Sequence, residues 1–392
     1  MSTQTKQKPF SVEDLRGFKY FKGFRKILER LHDNATGRDT AGNRKLFYDH
    51  YASLLLLTYF NPIIRTLRGT QYASTLEKVQ RTLGCQRTSL GSLSEASHLF
   101  DPELLHGIFR DLVQQNTWQS QLSPKENQAL ADLTAVDGTL LNALPRLAWA
   151  LWQDPQHRAV KMHLHFNVVQ GIACEATVTP AIGSEITQLQ KTLENGHLYV
   201  LDRGYACFQL LQDILEAGSA FIVRLNDNTV FDVMQTRRLT KAGRAAGVIR
   251  DVVVDLGSAA YKNIVRQPVR LVFVETANAN HPDKPITMIL ATNRLDLPAE
   301  LVVAAYRYRW QIELFFRWFK HILGCRQLLA HSPNGVAIQL YVALIASLLV
   351  TLWVGKKPTK RTWEMLQWYF AGWASEEELA AHIASLRDRP AA

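Results

Sequence analysis

Three carboxylates in this chain stand where they could share a metal ion. Asp137 closes an apolar run in AVDGT, Asp202 closes another in YVLDRGY, and Glu313 lies within YRYRWQIELFFRWFK, residues 306–320. A carboxylate at the end of a buried strand is costly unless it is paired, hydrogen-bonded or bound to metal. Two such groups side by side repel and favour a cation between them. Glu313 completes a set of hard oxygen donors of the kind Mg²⁺ prefers, with water and substrate phosphate filling the remaining positions. Two ions about 3.5–4 Å apart would activate a water or a 3′-hydroxyl for in-line phosphoryl displacement and stabilise the leaving oxygen. Each aspartate alone also reads as a turn or cap residue, because Gly138 and Gly204 follow closely.

The segment around Glu313 reads as a helix opened at Pro298-Ala299-Glu300, with Pro in its first turn. At 100° per residue, Arg309, Glu313 and Lys320 fall within roughly 60° of Tyr306, and Trp310 and Arg317 lie close to that stripe. Ile312, Phe315 and Phe319 take the far side, so one face can pack on a sheet. Taken alone, the polar face is as consistent with solvated Glu–Arg and Glu–Lys pairs as with a working surface.

The elements upstream decide how these residues meet. Residues 130–137 read as a short buried strand, 160–169 as an alternating second and 173–179 as a third. A short helix over 186–193, a strand over 197–201, a helix over 207–217 and a strand over 220–225 follow. Three strands, helix, strand, helix, strand is the order of a ribonuclease-H-like core, in which the first and fourth strands are neighbours. Residues 226–297 are dominated by strand-like runs at 248–256, 269–275 and 286–291, read as a β-rich insertion. The expectation is an α/β chain in five parts. A helical N-terminal DNA-binding domain covers 1–125 and the first part of the catalytic core 126–225. The β-rich insertion covers 226–297, the final core helices 298–345, and a helical C-terminal region 346–392.

AVDGT, YVLDRGYACF and the spacing Tyr306-x-x-Arg309-x-x-x-Glu313-x-x-x-x-x-x-Lys320 together resemble the three motifs of DDE transposases of the "insertion sequence four" family. The last is that family's Y-R-E-K signature with every letter and spacing intact, and Trp310 and Ile312 match its common form YxxRWxIE. The likeness runs from about Leu130 to about Ala346. It implies that Asp137, Asp202 and Glu313 are the catalytic metal ligands, holding two Mg²⁺ ions per site with Mn²⁺ able to substitute. It implies that Tyr306, Arg309 and Lys320 contact phosphates and sugars near the scissile bond, as their chemistry allows. The implied activity is cut-and-paste transposition on double-stranded DNA, at terminal inverted repeats and a target, by a homodimer in the synaptic complex of a bacterial cytoplasm. Some members excise through a DNA hairpin using an aromatic pocket; Phe231 and Tyr261 are candidates for it by location only.

Four further residues carry smaller expectations as DNA contacts. Arg203 follows Asp202 and reaches DNA or neutralises the carboxylates. Trp310 stacks on an exposed base or packs against the sheet. Lys161 and His163 share one face of the second strand with His165, and no third soft ligand stands at a spacing that would make the pair a zinc site.

Composition agrees with a polyanionic partner. The 392 residues carry a net charge of +10, with 47% hydrophobic and 20% charged residues, a globular balance. Arg16, Lys19, Lys22, Arg65 and Arg68 would serve a DNA-gripping helical unit or simply a solvated face. Cys85, Cys174, Cys207 and Cys325 are scattered and read as reduced thiols. The first ten residues have no apolar signal core. Residues 338–354 are almost wholly apolar but shorter than a membrane span requires, so a buried core helix is expected and no membrane partner. No phosphate loop or dinucleotide fingerprint is present. Two other functions stay open: a ribonuclease-H-like nuclease that cuts without joining, and a domesticated DNA-binding protein. The intact Y-R-E-K stripe weighs against the first and the three retained carboxylates against the second.

Overall fold

The computed structural model describes residues 25–34, 44–61, 63–114, 122–143, 147–150, 158–257, 264–277, 285–321, 328–355 and 357–387. Arg16, Lys19, Lys22, Tyr261 and Cys325 lie outside them. The chain divides into two compact units. One comprises residues 1–118, 141–160 and 317–392; the other comprises 119–140 and 161–316.

In the first unit the described N-terminal part is helical: α1 (Tyr48–Phe60), α2 (Leu67–Ala73), α3 (Glu77–Leu83), α4 (Leu90–Leu99) and α5 (Pro102–Gln114). Local chemistry sets their ends. Ser89 accepts the Ser92 N–H and caps α4, as its hydroxyl predicts, and α1 stops at Asn61 ahead of Pro62. Around the later helix α12 (Pro333–Val354) pack α1, α4 and α5. The Tyr59 hydroxyl of α1 donates to the Gln339 carbonyl at 2.8 Å.

The apolar run is thus part of a 22-residue helix, longer than the sequence indicated because Ser332 caps it and Pro333 occupies its first turn. By length and composition α12 could cross a membrane, yet nearly every residue is buried against its neighbours. Two helices follow, α13 (Lys360–Ala371) and α14 (Glu376–Arg387). The C-terminal aromatics divide: Trp363 is fully buried and stacks on Phe60 at 5.5 Å, whereas Trp373 is 83% exposed. Cys85, Cys174 and Cys207 are free thiols.

The second unit begins with α6 (Pro124–Ala129), held by a Ser123–Glu126 capping box. Its sheet is built from β1 (Leu133–Ala143), β2 (Arg158–Asn167), β3 (Ile172–Pro180), β4 (Leu198–Leu201), β5 (Ala220–Arg224), β6 (Phe231–Thr236), β7 (Val248–Leu256), β8 (Val269–Thr276) and β9 (Ile286–Thr292). The strand order is β3-β2-β1-β4-β5-β9-β8-β7-β6. β1, β4 and β5 run parallel, and β9 adds antiparallel to β5. The β-rich segment therefore continues the central sheet, with β8, β7 and β6 each adding antiparallel.

Helix α7 (Glu185–Lys191) follows β3, and α8 (Phe208–Glu216) follows β4. Leu210, Leu211 and Ile214 of α8 pack with Phe221, Val223, Val252 and Val254 of the sheet in one core. Between β6 and β7 lies the short α9 (Lys241–Ala245), absent from the sequence reading, as is β6. β6 is exposed at nearly every position and lacks the alternation that marks a half-buried strand. A buried ion pair locks the added strands: Arg270 of β8 donates to both carboxylate oxygens of Asp251 on β7, at 2.8 and 2.7 Å. Its third nitrogen donates to the Leu297 carbonyl, just ahead of α10 (Ala299–Tyr308).

The expected long helix is two: α10, then α11 (Trp310–His321), meeting at Arg309. The Arg309 N–H bonds to the Tyr306 carbonyl, and Ile312 to Arg309, both three-residue bonds that tighten the junction without breaking the right-handed path.

Candidate active site

Asp137 lies inside β1, where the sequence reading put it at the strand end. Thr139, Leu140 and Leu141 carry the strand on past Gly138. The register pairs Thr134 with Tyr199 and Ala135 with Val200, so two residues further along each parallel strand Asp137 comes level with Asp202. Asp137 accepts the Gly138 N–H at 2.8 Å. Asp202 accepts the Gly204 N–H at 2.8 Å and caps the single 3₁₀ turn Arg203–Tyr205.

Glu313 joins them through Arg309. Arg309 Nη2 donates to Glu313 Oε1 at 2.7 Å, one helical turn apart. The same guanidinium acts on Asp137 and stands 5.8 Å from the Tyr306 ring centroid. Tyr306 in turn feels Asp202 and Arg224. Arg309 thus links Glu313 of α11 with Asp137 of β1, and Asp202 at the end of β4 acts on both Asp137 and Tyr306.

Their electrostatics follow from burial. The Asp137 carboxyl is pushed up to about 7, first by burial and further by the charges of Asp202 and Glu185, against the pull of the Gly138 N–H and Arg309. Carboxylates outweigh the positive charge around Asp137: Asp202 and Glu185 push against Arg309, which is shared with Glu313. The donors are all carboxylate oxygens, which fits a hard divalent cation such as Mg²⁺ better than zinc.

A fourth carboxylate escaped the sequence reading. Glu185, the first residue of α7, lies directly over Gly138: a Cβ there would meet its Oε1 at 2.7 Å. Lys161 Nζ holds Glu185 at 3.1 Å and also donates to the Gly183 carbonyl at 3.2 Å. The buried Tyr205 hydroxyl also bonds Glu185. In sequence an acid in a first helical turn reads as a partner of the helix dipole. Only the ribonuclease-H-like order, which sets this helix beside the first strand, would have drawn it towards Asp137.

The remaining candidates divide by exposure. Arg203 is exposed in the turn after Asp202. Trp310 is 51% exposed, so it does not pack inside the sheet. Lys320 lies two turns beyond Glu313 on the same face of α11. Lys161 is committed to Glu185 and Gly183. His163 is buried, with Nε2 2.8 Å from Thr179 Oγ1 and its pKa lowered to about 4 by burial, which makes it a core histidine. Phe231 packs near Phe273 against the sheet core.

Residues 128–349, more than half of the chain, match the family model described as the transposase DDE domain. The chain belongs to the DDE transposase family, in its IS4-like group. Among its relatives is a protein assigned as the transposase y4zB of Sinorhizobium fredii, 31% identical over 231 residues, covering 58% of this chain and 62% of that one. A second, assigned as the transposase of insertion sequence element IS5377 in Geobacillus stearothermophilus, is 26% identical over 238 residues, or 59% and 58% of the two chains. A third, assigned to element IS4SA of Synechocystis sp., is 21% identical over 264 residues, or 65% and 70%. The chain therefore matches less than two thirds of the length of the first two relatives. Among solved structures, a piggyBac transposase synaptic complex with hairpin DNA superposes over 93% of this chain and 84% of that one, at 12% identity and a TM-score of 0.41, too low to bear on the fold. The DDE family match spans Asp137, Asp202 and Glu313 together with the β-rich segment between the second and third.

Proposed function

We propose that this DDE-family chain cleaves DNA at the terminal inverted repeats of an insertion sequence and joins the freed 3′-ends to target DNA, with Asp137, Asp202 and Glu313 as its metal ligands. The observation that carries the reading is that Asp137 on β1 and Asp202, just past the end of the parallel neighbour β4, act on each other, while Arg309 pairs with Glu313 and acts on Asp137.

Two Mg²⁺ ions held by the three carboxylates, with Mn²⁺ able to substitute, would supply an activated water or 3′-hydroxyl and stabilise the leaving oxygen. The chain's own groups do the rest. Asp137, Asp202 and Glu313 would be the residues that hold the ions. Arg309, which pairs with Glu313 in this structure, would offer its fork to a phosphate, with the Tyr306 hydroxyl and the Lys320 ammonium as further phosphate and sugar contacts. These contacts position the strand and carry no sequence information. Arg203 and Trp310 face solvent and serve as outer contacts, Trp310 by stacking on an unpaired base. Lys161 acts through Glu185 and His163 through the packing of β2, so neither touches DNA directly. Bringing two transposon ends together calls for a homodimer in the synaptic complex.

The test is a duplex carrying the repeat found beside the gene, incubated with protein and Mg²⁺ or Mn²⁺. Wild type should cut at the repeat boundary only with metal, and Asp202→Ala should not cut. Equal products from both proteins would refute the assignment.

A further inference from the structure

The N-terminal helical part holds a second cluster, unrelated to the carboxylates of the sheet. His32 follows the short 3₁₀ turn Glu29–Leu31, and Asp49 and His50 lie in the first turn of α1. One ligand atom from each lies within 4.8 Å of the others. His32 Nδ1 stands 3.0 Å from both Asp49 oxygens, and His50 Nε2 stands 3.6 Å from Oδ2, beyond hydrogen-bond reach.

These separations bracket the distance of about 3.3 Å between two ligands in a tetrahedral zinc shell with bonds near 2.0–2.1 Å. His50 is only 8% exposed, and its Nδ1 has no hydrogen-bond partner. The nitrogen turned towards Asp49 is Nε2, which makes no hydrogen bond to it at 3.6 Å, and a buried polar atom left without a partner, as Nδ1 is, is uncommon. The Asp49 carboxylate is buried as well, and among the described residues its ion-pair partners are these two imidazoles, with neither lysine nor arginine. Arg25, whose field reaches His50, lays its guanidinium against Gly84. The His32 ring is fixed by stacking on Phe47 at 4.1 Å, and its side chain is 40% exposed, so water can complete the shell.

We propose that His32, Asp49 and His50 form a structural site for a borderline divalent cation of the zinc type, pinning the 3₁₀ turn to the start of α1. Two imidazole nitrogens and a carboxylate suit Zn²⁺, and Co²⁺ as its spectroscopic stand-in, better than Mg²⁺. The site is independent of the proposed transposition chemistry.

The test uses the full chain with Asp137→Asn and Asp202→Asn, which disables the carboxylate site. After EDTA treatment and dialysis it is titrated with Zn²⁺ against a chromogenic chelator, and separately with Co²⁺. The expected result is one zinc per chain and visible Co²⁺ absorption of four- or five-coordinate intensity. Melting temperature should rise by about 3 °C at zinc a hundredfold above Kd. Adding His32→Gln, at a partly exposed position that tolerates change, should weaken zinc at least tenfold and abolish the shift while the metal-free melting curve stays put. Zinc uptake unchanged by His32→Gln would overturn the proposal, and so would a chain that binds no zinc.

Discussion

Asparagine at position 137 should make the metal-free protein more stable while abolishing its chemistry. The Asp137 carboxyl rises from 3.8 to about 7 in the fold, chiefly through burial and the charges of Asp202 and Glu185. The folded state therefore holds this proton more tightly than the unfolded chain does. Its contribution is complete below about pH 4, is lost as pH rises towards 7, and changes no further above that. At 1.36 kcal/mol for each pH unit the loss is about 4 kcal/mol at most, and about 2–4 kcal/mol after solvent screening at the open side of the site. Asparagine keeps the oxygen that accepts the Gly138 N–H and removes the charge. In EDTA at pH 8, Asp137→Asn should melt about 2–5 °C above wild type, and the gap should close near pH 4. Added Mg²⁺ should raise the melting of wild type and leave the variant unmoved. A variant that melts no higher than wild type at pH 8, or a gap that persists unchanged at pH 4, would refute the reasoning.

Gly138→Ala puts a methyl 2.7 Å from Glu185 Oε1, so Glu185 must swing away from Asp137; DNA cleavage should drop at least tenfold with less than about 2 kcal/mol lost in urea melts. Asp251→Asn leaves Arg270 charged and buried between β7 and β8 and should cost about 3–5 kcal/mol, read by chemical denaturation. Trp310→Ala removes a half-exposed ring and should leave stability within about 0.5 kcal/mol while weakening binding to a repeat end with unpaired bases. If that variant instead unfolds, the ring is structural and the stacking role is wrong.

Much of the sheet was legible because its strands alternate or run apolar between turn residues; β7 occupies the segment read for it, Val248–Leu256. What escaped depended on long-range placement. β6 has no buried face to betray it, and β1 runs on through Asp137 because Gly138, a turn signal in sequence, is glycine for another reason: Glu185 occupies the space a Cβ would fill. The stripe Tyr306–Arg309–Glu313 was legible from helical spacing. The tightened junction at Arg309, and the turning of that arginine inward onto Glu313, were not. Glu185 was invisible as a neighbour of Asp137, since 48 residues separate them and only the topology brings α7 over β1. The His32–Asp49–His50 cluster likewise needs the fold to bring the 3₁₀ turn against α1.

Joining is the step that separates a transposase from a nuclease, so it is the most direct measurement. A repeat-end duplex already nicked to expose its 3′-hydroxyl is mixed with supercoiled plasmid, Mg²⁺ and protein, and covalently joined product is scored on a denaturing gel. Wild type should yield metal-dependent joined product, and Asp137→Asn, Asp202→Asn and Glu313→Gln should each yield none above background. Joining by any of the three variants, or hydrolysis by wild type without joining, would contradict the assignment of these carboxylates to strand transfer.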